Sequence, residues 1–466
     1  MTNDMAPEEF RRAGHEIVDW IADYLANIRE YPVLTARKPG DLIDALPAQA
    51  PETGEPIERI LADFREQVMP SVTHWNHPRF HAYFSVSASG PGILGEMLTA
   101  ALNVNGMIWK SCPAAVELEQ VTMSWLRQWL RLPEEWFGQI YDTASVSSMH
   151  AVACAREQAF PEVRTEGGMR GAVAYTSEHS HSSIEKGCIA LGVGQNNVRR
   201  IGSDADFRMK PEALEAAIRA DLAAGLKPFF VTATVGTTST SSIDPVPAIA
   251  DIAERYKLWL HVDGAYGGSA CVVPEFNHYL RGTERADSLV VNPHKWLFTP
   301  IDISTFFTRK PEILRQAFSL IPEYLRTTAD PRALNLMDYG VQLGRRFRAL
   351  KFWFVLRYFG HEGISHILRE HVRMAAEFAG WVGGDERFEL AAPHPFSLVC
   401  FRMKAGDEAT KRLHQALDDS REAFLSHTVL NGRYTLRFAI GNIKTTDEDV
   451  AATWTLIQRL ASEIIA

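Results

Sequence analysis

Apolar residues recur at helical spacing in the N-terminal part of the chain. The first such stretch runs from Phe10 to Ile28 behind Pro7, and proline is favoured at the start of helices. A second stretch covers residues 57–68 and follows a proline-rich connector. Two helices joined in this way cannot bury their own apolar faces, so we expect them to pack on the main domain or on another subunit. The alternative is a helical hairpin formed within one chain.

Between about residues 90 and 310 the pattern changes to short apolar runs separated by helical stretches. The runs that predict strands are 172–176, 229–235, 258–262, 288–291 and 303–308. Helical stretches at 211–224 and 245–256 lie between the first three of these runs. The alternation predicts an α/β fold with a mainly parallel sheet flanked by helices. Ligands bind such sheets beyond the carboxyl ends of the strands.

After about residue 350 the pattern is helical again, and strand-like runs follow at 398–403 and 434–440. We therefore expect three units. They are an N-terminal helical dimerisation segment (1–87), a large cofactor-binding α/β domain (88–350) and a small C-terminal α+β domain (351–466).

Composition narrows the class of protein. The hydrophobic fraction of 46% and charged fraction of 23% are ordinary for a globular enzyme, and the net charge of -9 disfavours a nucleic-acid partner. No apolar run approaches the roughly 18 residues of a membrane span. The N-terminus is polar, without the apolar core of a signal peptide. The five cysteines are scattered, which favours a reducing cytoplasm over a disulfide framework: Cys112, Cys154, Cys188, Cys271 and Cys400.

Two charged residues follow predicted buried strands. Asp263 lies in the segment HVDGAY at 261–266, and Lys295 lies in NPHKW at 292–296. Charges are rarely taken out of water unless they are paired or used. Pyridoxal phosphate catalysis uses both, because a lysine amine binds the cofactor aldehyde and a carboxylate keeps the ring nitrogen protonated. The alternative is a lysine and an aspartate that merely cap a strand end and a loop.

Two further segments offer polar groups near the same strand ends. Residues 142–148 precede a helical run at 149–160, and helix N-termini bind phosphate; the alternative is an ordinary serine or threonine cap. The segment HSHSS at 179–183 carries a histidine able to stack on a cofactor ring. A metal site is the rival interpretation, with these possible ligands: His179, His181, His261, Asp263 and His294. No HExxH or CxxC motif accompanies them, so we predict no metal.

With these residues in hand, the chain resembles the aromatic-L-amino-acid decarboxylases. These are group II pyridoxal-phosphate decarboxylases of the fold-type I, aspartate-aminotransferase-like superfamily. The resemblance covers nearly the whole chain, including MPSVTHWNHPRFHAYF at 69–84, ELEQVTMSWL at 117–126, HSSIEK at 181–186, LWLHVDGAYGGSA at 258–270, ERADSLVVNPHKWL at 284–297, LGRRFRALKFWFVLR at 343–357 and LRFAIGN at 436–442.

The resemblance implies roles for residues around the cofactor ring. Lys295 matches the Schiff-base lysine, and Asp263 matches the partner of the ring nitrogen. Ala265 is expected under one face of the ring and His181 on the other. Thr238 is expected near the ring hydroxyl.

The same resemblance implies phosphate contacts from Ala144, Ser145 and Asn292. His294, next to the lysine, is expected to assist proton transfer. Tyr324 matches the tyrosine on the family's mobile catalytic loop, which protonates the carbanion after carbon dioxide leaves. Aldehyde-forming relatives usually carry phenylalanine at this position.

The substrate pocket is implied by a third set of matches. Trp75, Tyr83 and Phe84 fall in the family's pocket segment. Met107 falls where the family reaches into the neighbouring subunit's pocket, which implies a homodimer with its active site at the interface. Gly344 aligns where small residues leave room for large rings.

We therefore expect a cytoplasmic, homodimeric carboxy-lyase that binds pyridoxal phosphate. Its expected reaction converts an aromatic L-amino acid of the DOPA, tyrosine, tryptophan or phenylalanine class into the amine and carbon dioxide. One alternative is an oxygen-consuming aldehyde synthase, which Tyr324 disfavours. An alternative from another class is a histidine-ligated metallohydrolase.

Overall fold

Residues 4–320 and 333–465 are described in the computed structural model, and within them the chain forms two β-sheets. The elements before the larger sheet are α1 Pro7–Ala26, α2 Asp41–Ala45, α3 Ile57–Asp63, β1 Phe80–His81, α4 Gly90–Leu102 and α5 Pro113–Trp129. A π-helical turn, Phe64–Val68, continues α3.

The larger sheet has seven strands among the described residues. They are β2 Phe137–Tyr141, β3 Ala172–Ser177, β4 Val198–Ile201, β5 Lys227–Thr234, β6 Trp259–Asp263, β7 Ser288–Val291 and β8 Ser304–Thr308. Their order is β2-β8-β7-β6-β5-β3-β4. Strand β8 is antiparallel to both neighbours, and the other neighbouring strands pair in parallel. The predicted mainly parallel sheet is therefore confirmed.

Helices connect these strands and cover both faces of the sheet. They are α6 Ala144–Ala159, α7 Val163–Glu166, α8 Ser182–Ala190, α9 Pro211–Ala223, α10 Val246–Tyr256, α11 Gly267–Ala270, α12 Pro293–Trp296 and α13 Pro311–Phe318. Alternate strand residues enter two separate hydrophobic clusters. Phe230 and Trp259 pack in the cluster that contains α6, while Val231 and Leu260 pack in the cluster that contains α9 and α10. Strands buried on both faces read as continuous apolar runs, which is the pattern of this part of the sequence.

The register brings three strand ends together at one edge of the sheet. Asp263, the last residue of β6, pairs with Thr234 at the end of β5 and with Val290 in β7. Residues that follow these strands therefore lie side by side beyond the same edge.

The smaller sheet has the order β1-β11-β12-β10-β9. Its elements beyond β1 are α14 Arg348–Gly384, β9 Phe388–Leu390, β10 Leu398–Met403, α15 Asp407–Ser420, β11 Phe424–Leu430, β12 Arg433–Ala439 and α16 Asp447–Ile465. β1 pairs in parallel with β11, so Phe80 lies opposite Phe424. The N-terminal part thus contributes a strand to a sheet whose other strands come from the C-terminal part.

Helix α14 connects the two parts of the molecule. Its N-terminal part, including Phe352 and Leu368, packs in the core of the larger sheet, and its C-terminal part, including Phe378, packs in the core of the smaller one. A non-helical Gly360 with φ of 62° interrupts the N-terminal part. The domain boundaries at residues 87 and 350 stay a prediction.

The N-terminal helices contact each other within the chain. The Trp20 ring meets the Phe64 ring edge-on at 5.0 Å, and Arg65 pairs with Glu16 at 2.7 Å. These contacts are the ones expected if the two helices form a hairpin within one chain. Phe10 nevertheless remains 68% exposed and Ile60 52% exposed, so apolar surface is left for another partner. Of the helices in the described residues, none has the length and apolarity needed to cross a bilayer.

Two glycine substitutions test the packing of α4 against α14. A Cβ at Gly95 would lie 2.7 Å from the Lys351 Cα, whereas a Cβ at Gly380 meets no atom within 4 Å. We expect Gly95→Ala to destabilise the protein by about 1–3 kcal/mol through overpacking. Gly380→Ala should stabilise it by about 0.5–1 kcal/mol, because alanine has the higher helix propensity.

Thermal unfolding at one fixed protein concentration measures both changes. Equal shifts of the two midpoints would contradict the close approach of α4 to α14.

Candidate active site

A cavity lies beyond the carboxyl ends of β5, β6 and β7. Its lining residues are Phe84, Thr143, Ala144, Ser145, His181, Ser183, Thr234, Gly236, Thr238, Asp263, Ala265, Tyr266, Asn292, His294 and Lys295. The sequence had singled out ten of these as site residues. They are Phe84, Ala144, Ser145, His181, Thr238, Asp263, Ala265, Asn292, His294 and Lys295. The structure therefore brings together residues that are more than two hundred positions apart in the chain.

Asp263 and Lys295 are the two charged groups of this cavity. The Asp263 side chain is held by the N–H of Ala265, which donates to Oδ1 at 3.0 Å. Lys295 lies on α12, a single helical turn. The Lys295 N–H donates to the Asn292 carbonyl at 3.0 Å. Burial lowers the pKa of Lys295, and the Asp263 carboxylate opposes part of that shift. A lysine that loses its proton more readily is a better nucleophile.

His294 is buried beside Lys295, and its hydrogen bond defines its tautomer. The N–H of Ile303 donates to Nδ1 at 3.0 Å, so the neutral ring carries its proton on Nε2. Burial, and secondly the charge of Lys295, lower the pKa of His294 to about 4. At neutral pH the ring is therefore an uncharged hydrogen-bond donor.

Helix α6 begins earlier than the sequence indicated. The helical run was expected to start at residue 149, but α6 starts at Ala144 and includes Ser145 in its first turn. Residues 145–148 are three serines and a valine, and their modest helix propensity gives no sign of this turn in the sequence. In the structure, the buried contacts of two serine hydroxyls compensate for that low propensity. Ser147 Oγ lies 2.8 Å from Ser304 Oγ, and Ser148 Oγ lies 3.4 Å from the His261 ring.

The start of α6 and Asn292 form a polar end of the cavity. The first N–H groups of a helix have no partner within the helix and carry its positive dipole end. Asn292 is 1% exposed, and its Oδ1 has no hydrogen-bond partner among the described residues. An unpaired buried amide oxygen is costly unless a ligand donates a hydrogen bond to it. The start of α6 supplies the donors that a phosphate requires.

His181 lines the cavity at the N-terminal cap of α8. Its Nδ1 accepts from the N–H of Ser183 at 3.2 Å and lies 2.8 Å from the Ser183 hydroxyl. These contacts fix the ring at the N-terminal cap of the helix. Partial burial, and secondly Lys295, lower the pKa of His181, which favours an uncharged ring.

An aromatic stack extends from the cavity into the core. The Phe84 and Tyr266 rings lie 3.7 Å apart at 15°, and the Tyr266 and Trp296 rings lie 4.7 Å apart at 7°. The Trp296 indole N–H donates to His371 Nδ1 at 2.9 Å. Because Trp296 follows Lys295 directly, this stack fixes the turn that carries the lysine.

Arg437 is a buried residue near the cavity that sequence reasoning missed. It lies on β12, and its donors reach the carbonyl oxygens of Thr238 at 2.7 Å and Ser239 at 3.0 Å. Its guanidinium carbon also lies 5.3 Å from the centre of the Phe84 ring. The motif LRFAIGN contains this arginine, but nothing local in a strand distinguishes it from a solvent-facing one. Five residues of the cavity lining were also not predicted as site residues: Thr143, Ser183, Thr234, Gly236 and Tyr266.

Four predicted substrate residues lie outside the cavity lining. Trp75 and Tyr83 stack on each other at 5.7 Å and are 38% and 50% exposed. Met107 and Gly344 lie on a separate surface, where Asn105 is close to both. Tyr324 falls outside the described residues.

The histidines proposed as alternative metal ligands have other partners. His179 Nε2 lies 3.2 Å from the Ser203 hydroxyl, and His261 Nδ1 lies 2.9 Å from the Ser288 hydroxyl. Within 4–320 and 333–465, no group of three or more His, Cys, Asp or Glu side chains has an arrangement that would hold a metal ion.

Known proteins are similar to this chain in sequence and fold. The family model for the pyridoxal-dependent decarboxylase conserved domain matches residues 39–404. Tyrosine decarboxylase 4 of Petroselinum crispum is 40% identical, over 99% of this chain and 95% of that protein. A phenylacetaldehyde synthase of a Rosa hybrid cultivar is 39% identical, over 100% of this chain and 96% of that protein. The crystal structure of Oryza sativa TDC with PLP and tryptamine matches with a TM-score of 0.97 at 37% identity, covering 100% of both chains.

The family model covers most of the chain, and the similarity to curated relatives and to a solved structure extends over its full length. The chain belongs to the pyridoxal-dependent decarboxylase family.

Proposed function

We propose that this chain converts an aromatic L-amino acid into the corresponding amine and carbon dioxide, with pyridoxal phosphate bound in the cavity. The observation that carries the proposal is the Asp263–Lys295 pair at the ends of two adjacent strands, facing the start of α6. A tyrosine decarboxylase is similar to the chain in sequence, and a TDC with PLP and tryptamine is similar in fold, which supports an aromatic substrate.

The residues of the cavity fit the cofactor group by group. Lys295 supplies the amine for its aldehyde, and Asp263 supplies a carboxylate for its ring nitrogen. The first N–H groups of α6, at Ala144 and Ser145, supply donors for its phosphate, and the Asn292 side chain lines the same cavity. When bound, pyridoxal phosphate supplies an electron sink for the charge left at the carbon that loses carbon dioxide.

The chain's own residues contribute positioning and proton transfer. Asp263 would hold a proton on the ring nitrogen, because an opposite charge stabilises the protonated form. Ala265, His181 and Thr238 line the same cavity, and by the family resemblance the first two would confine the ring while Thr238 would lie by its hydroxyl. The buried Phe84 excludes water from the reacting atoms. Orientation of the breaking bond by such walls is among the larger contributions available to an enzyme.

Two residues are proposed to handle protons after carbon dioxide leaves. Tyr324 donates a proton to the substrate carbon as general acid, a role that rests on the family resemblance alone. His294 assists as a neutral donor through its Nε2–H, as its hydrogen bond from Ile303 favours. Lys295 is the residue that would hold the cofactor aldehyde between turnovers.

The substrate ring is proposed to bind near Trp75, Tyr83 and Phe84. Met107 and Gly344 lie outside this chain's cavity, which is consistent with a contribution to the cavity of a second copy. A homodimer with the active site at its interface accounts for both sets of residues.

An exposed apolar stripe on α4 supports the homodimer. Leu94, Leu98 and Leu102 recur every fourth residue and are 53%, 48% and 56% exposed. Such contiguous apolar surface marks an interaction site. The opposite side of α4, including Gly95, packs against α14.

A cytoplasmic location is proposed on the cysteine chemistry. The five cysteines are free, and four of them are buried. Free buried thiols are typical of reducing compartments.

The rival function is aldehyde formation with oxygen consumption, since a phenylacetaldehyde synthase is among the similar proteins. Tyr324 favours the decarboxylase, because aldehyde-forming relatives usually carry phenylalanine there. A panel of L-tyrosine, L-tryptophan, L-phenylalanine and L-DOPA, with L-glutamate as the non-aromatic control, separates the two when amine and oxygen are measured together.

Replacement of the lysine tests the central role of Lys295. We expect Lys295→Ala to lower amine release from the best panel substrate to the level without enzyme, because no other amine lies on this turn. Lys404→Ala, an exposed position in the smaller part of the molecule, is the control and should keep full activity. Amine release is followed by chromatography, and substantial turnover by Lys295→Ala would contradict the proposal.

Replacement of the proposed proton donor tests product choice. We expect Tyr324→Phe to divert turnover from amine toward aldehyde, ammonia and hydrogen peroxide, with matching oxygen uptake. Tyr256→Phe, which loses only a surface hydroxyl that contacts Glu215 and Arg219, should leave the products unchanged. An unchanged amine yield in Tyr324→Phe would remove Tyr324 from this role.

The homodimer is tested by introducing charge into the α4 stripe. Sedimentation equilibrium should give twice the chain mass of 52.2 kDa for the wild type. Leu98→Glu should give one chain mass and lose activity, because a carboxylate would be buried at the interface. Leu222→Glu, an equally exposed leucine on α9 (47%), should stay dimeric. A wild-type enzyme that is monomeric and active would overturn the arrangement.

A further inference from the structure

His150 uses both of its ring nitrogens to join α6 to a distant segment. It is fully buried, with 0% exposure. Its Nδ1–H donates to the Val146 carbonyl at 2.7 Å, and its Nε2 accepts from the N–H of Val341 at 3.1 Å. A carbonyl can only accept and a backbone N–H can only donate, so these two contacts require one neutral tautomer.

The segment that His150 contacts, residues 339–345, is held at both of its ends. At its start, the Tyr141 hydroxyl donates to the Tyr339 carbonyl. At its end, Arg345 forms a buried ion pair with Glu119 at 2.7 Å. In the middle, the side chain of Gln342 donates to Asp142 Oδ2 at 3.0 Å, and His150 supplies the contact to the main chain, at Val341.

The same segment is bonded to residues 105–108. The N–H of Gly106 donates to the Arg345 carbonyl at 2.9 Å, and the N–H of Arg345 donates to Asn105 Oδ1 at 2.9 Å. Met337, just before the segment, donates its N–H to the Met107 carbonyl at 3.0 Å. The two positions proposed to complete a substrate pocket are therefore joined, because Gly344 lies within residues 339–345 and Met107 belongs to the segment that is bonded to them.

We propose that His150 is a positioning residue that fixes residues 339–345, and with them Met107 and Gly344, against the helix that begins at the cofactor cavity. The inference rests on the proposed function, since it assigns His150 to the geometry of the substrate pocket. His150 touches neither the cavity nor the reacting atoms and acts through the Val341 main chain.

The surroundings of the ring keep it uncharged and leave little room for rearrangement. The Tyr141 ring lies 4.1 Å from it at 28°, and the Phe318 ring lies 4.4 Å away. Burial, and to a smaller extent the charge of Arg345, lower the pKa of His150 to about 4, against the Val146 carbonyl and Asp142. An aliphatic replacement would leave the Val341 N–H without its acceptor.

Three variants test the role. His150→Leu removes the donor and the acceptor, whereas His150→Gln keeps one of each on an amide. Gly340→Ala leaves His150 intact and adds a Cβ 3.0 Å from Tyr141 Cε1 and 3.1 Å from His150 Nε2. The Gly340 φ of −171° is open to alanine, so this change acts as a wedge without backbone strain.

We expect His150→Leu and Gly340→Ala to raise KM for the aromatic substrate about tenfold, the factor of one lost hydrogen bond of about 1.4 kcal/mol. The dissociation constant of pyridoxal phosphate, titrated into the apoenzyme, should stay unchanged, because Thr143–Ser145 are held by other contacts of α6. Hydrogen exchange of the 336–345 peptide should accelerate in both variants. His150→Gln should restore both KM and exchange toward wild type.

A wild-type KM and exchange rate in His150→Leu and Gly340→Ala would overturn the inference. So would a loss of cofactor affinity that matches the rise in KM, since that would indicate general damage to α6. If His150→Leu fails to fold, Gly340→Ala carries the same test. Failure of the proposed function is a different result: the wild type would then release no amine from any aromatic amino acid, while hydrogen exchange would still decide the role of His150.

Discussion

The fold is organised around two buried charged groups, a carboxylate and a lysine amine. They lie at the ends of two neighbouring strands. Asp263 ends β6, and Lys295 follows β7 by one turn. Taking these charges out of water is unfavourable unless a ligand or partner uses them. The parallel register places them together, because the ends of β5, β6 and β7 meet at one edge of the sheet. The cavity exists where it does because the sheet is parallel there.

Much of the surrounding structure keeps this edge rigid. Below the lysine, the stack of Phe84, Tyr266 and Trp296 connects the turn to His371 on α14. Arg437 bonds the loop at Thr238 to the smaller sheet, so that sheet supports the cavity without lining it. Rigid support of this kind is what precise placement of a site's groups requires. Both sheets therefore help to hold the cavity in place.

Local sequence patterns predicted the elements that build the cavity. The run at 288–291 matches β7 Ser288–Val291, and the run at 398–403 matches β10 Leu398–Met403. These strands are buried on both faces, so their apolar character alone defines them. The predicted start of α6 was wrong by five residues, because burial of Ser147 and Ser148 outweighs their weak helix propensity.

Contacts between distant segments could not be predicted in the same way. The pairing of Phe80 with Phe424 depends on tertiary structure, and no local pattern separates Arg437 from an exposed strand arginine. His150 resembles an ordinary core residue until Val341 is placed beside it. Polar residues at strand ends can be recognised from the sequence, because ligand sites recur at this position in parallel sheets. A buried hydrogen-bonded contact such as that of His150 has no recurring sequence pattern.

Reduction of the holoenzyme with borohydride, followed by digestion and mass spectrometry, identifies the amine that binds the cofactor. The treatment fixes the cofactor covalently to that amine. We expect a single modified peptide, with the cofactor mass on Lys295. Modification of another lysine, such as the buried Lys351, or no modification at all, would contradict it.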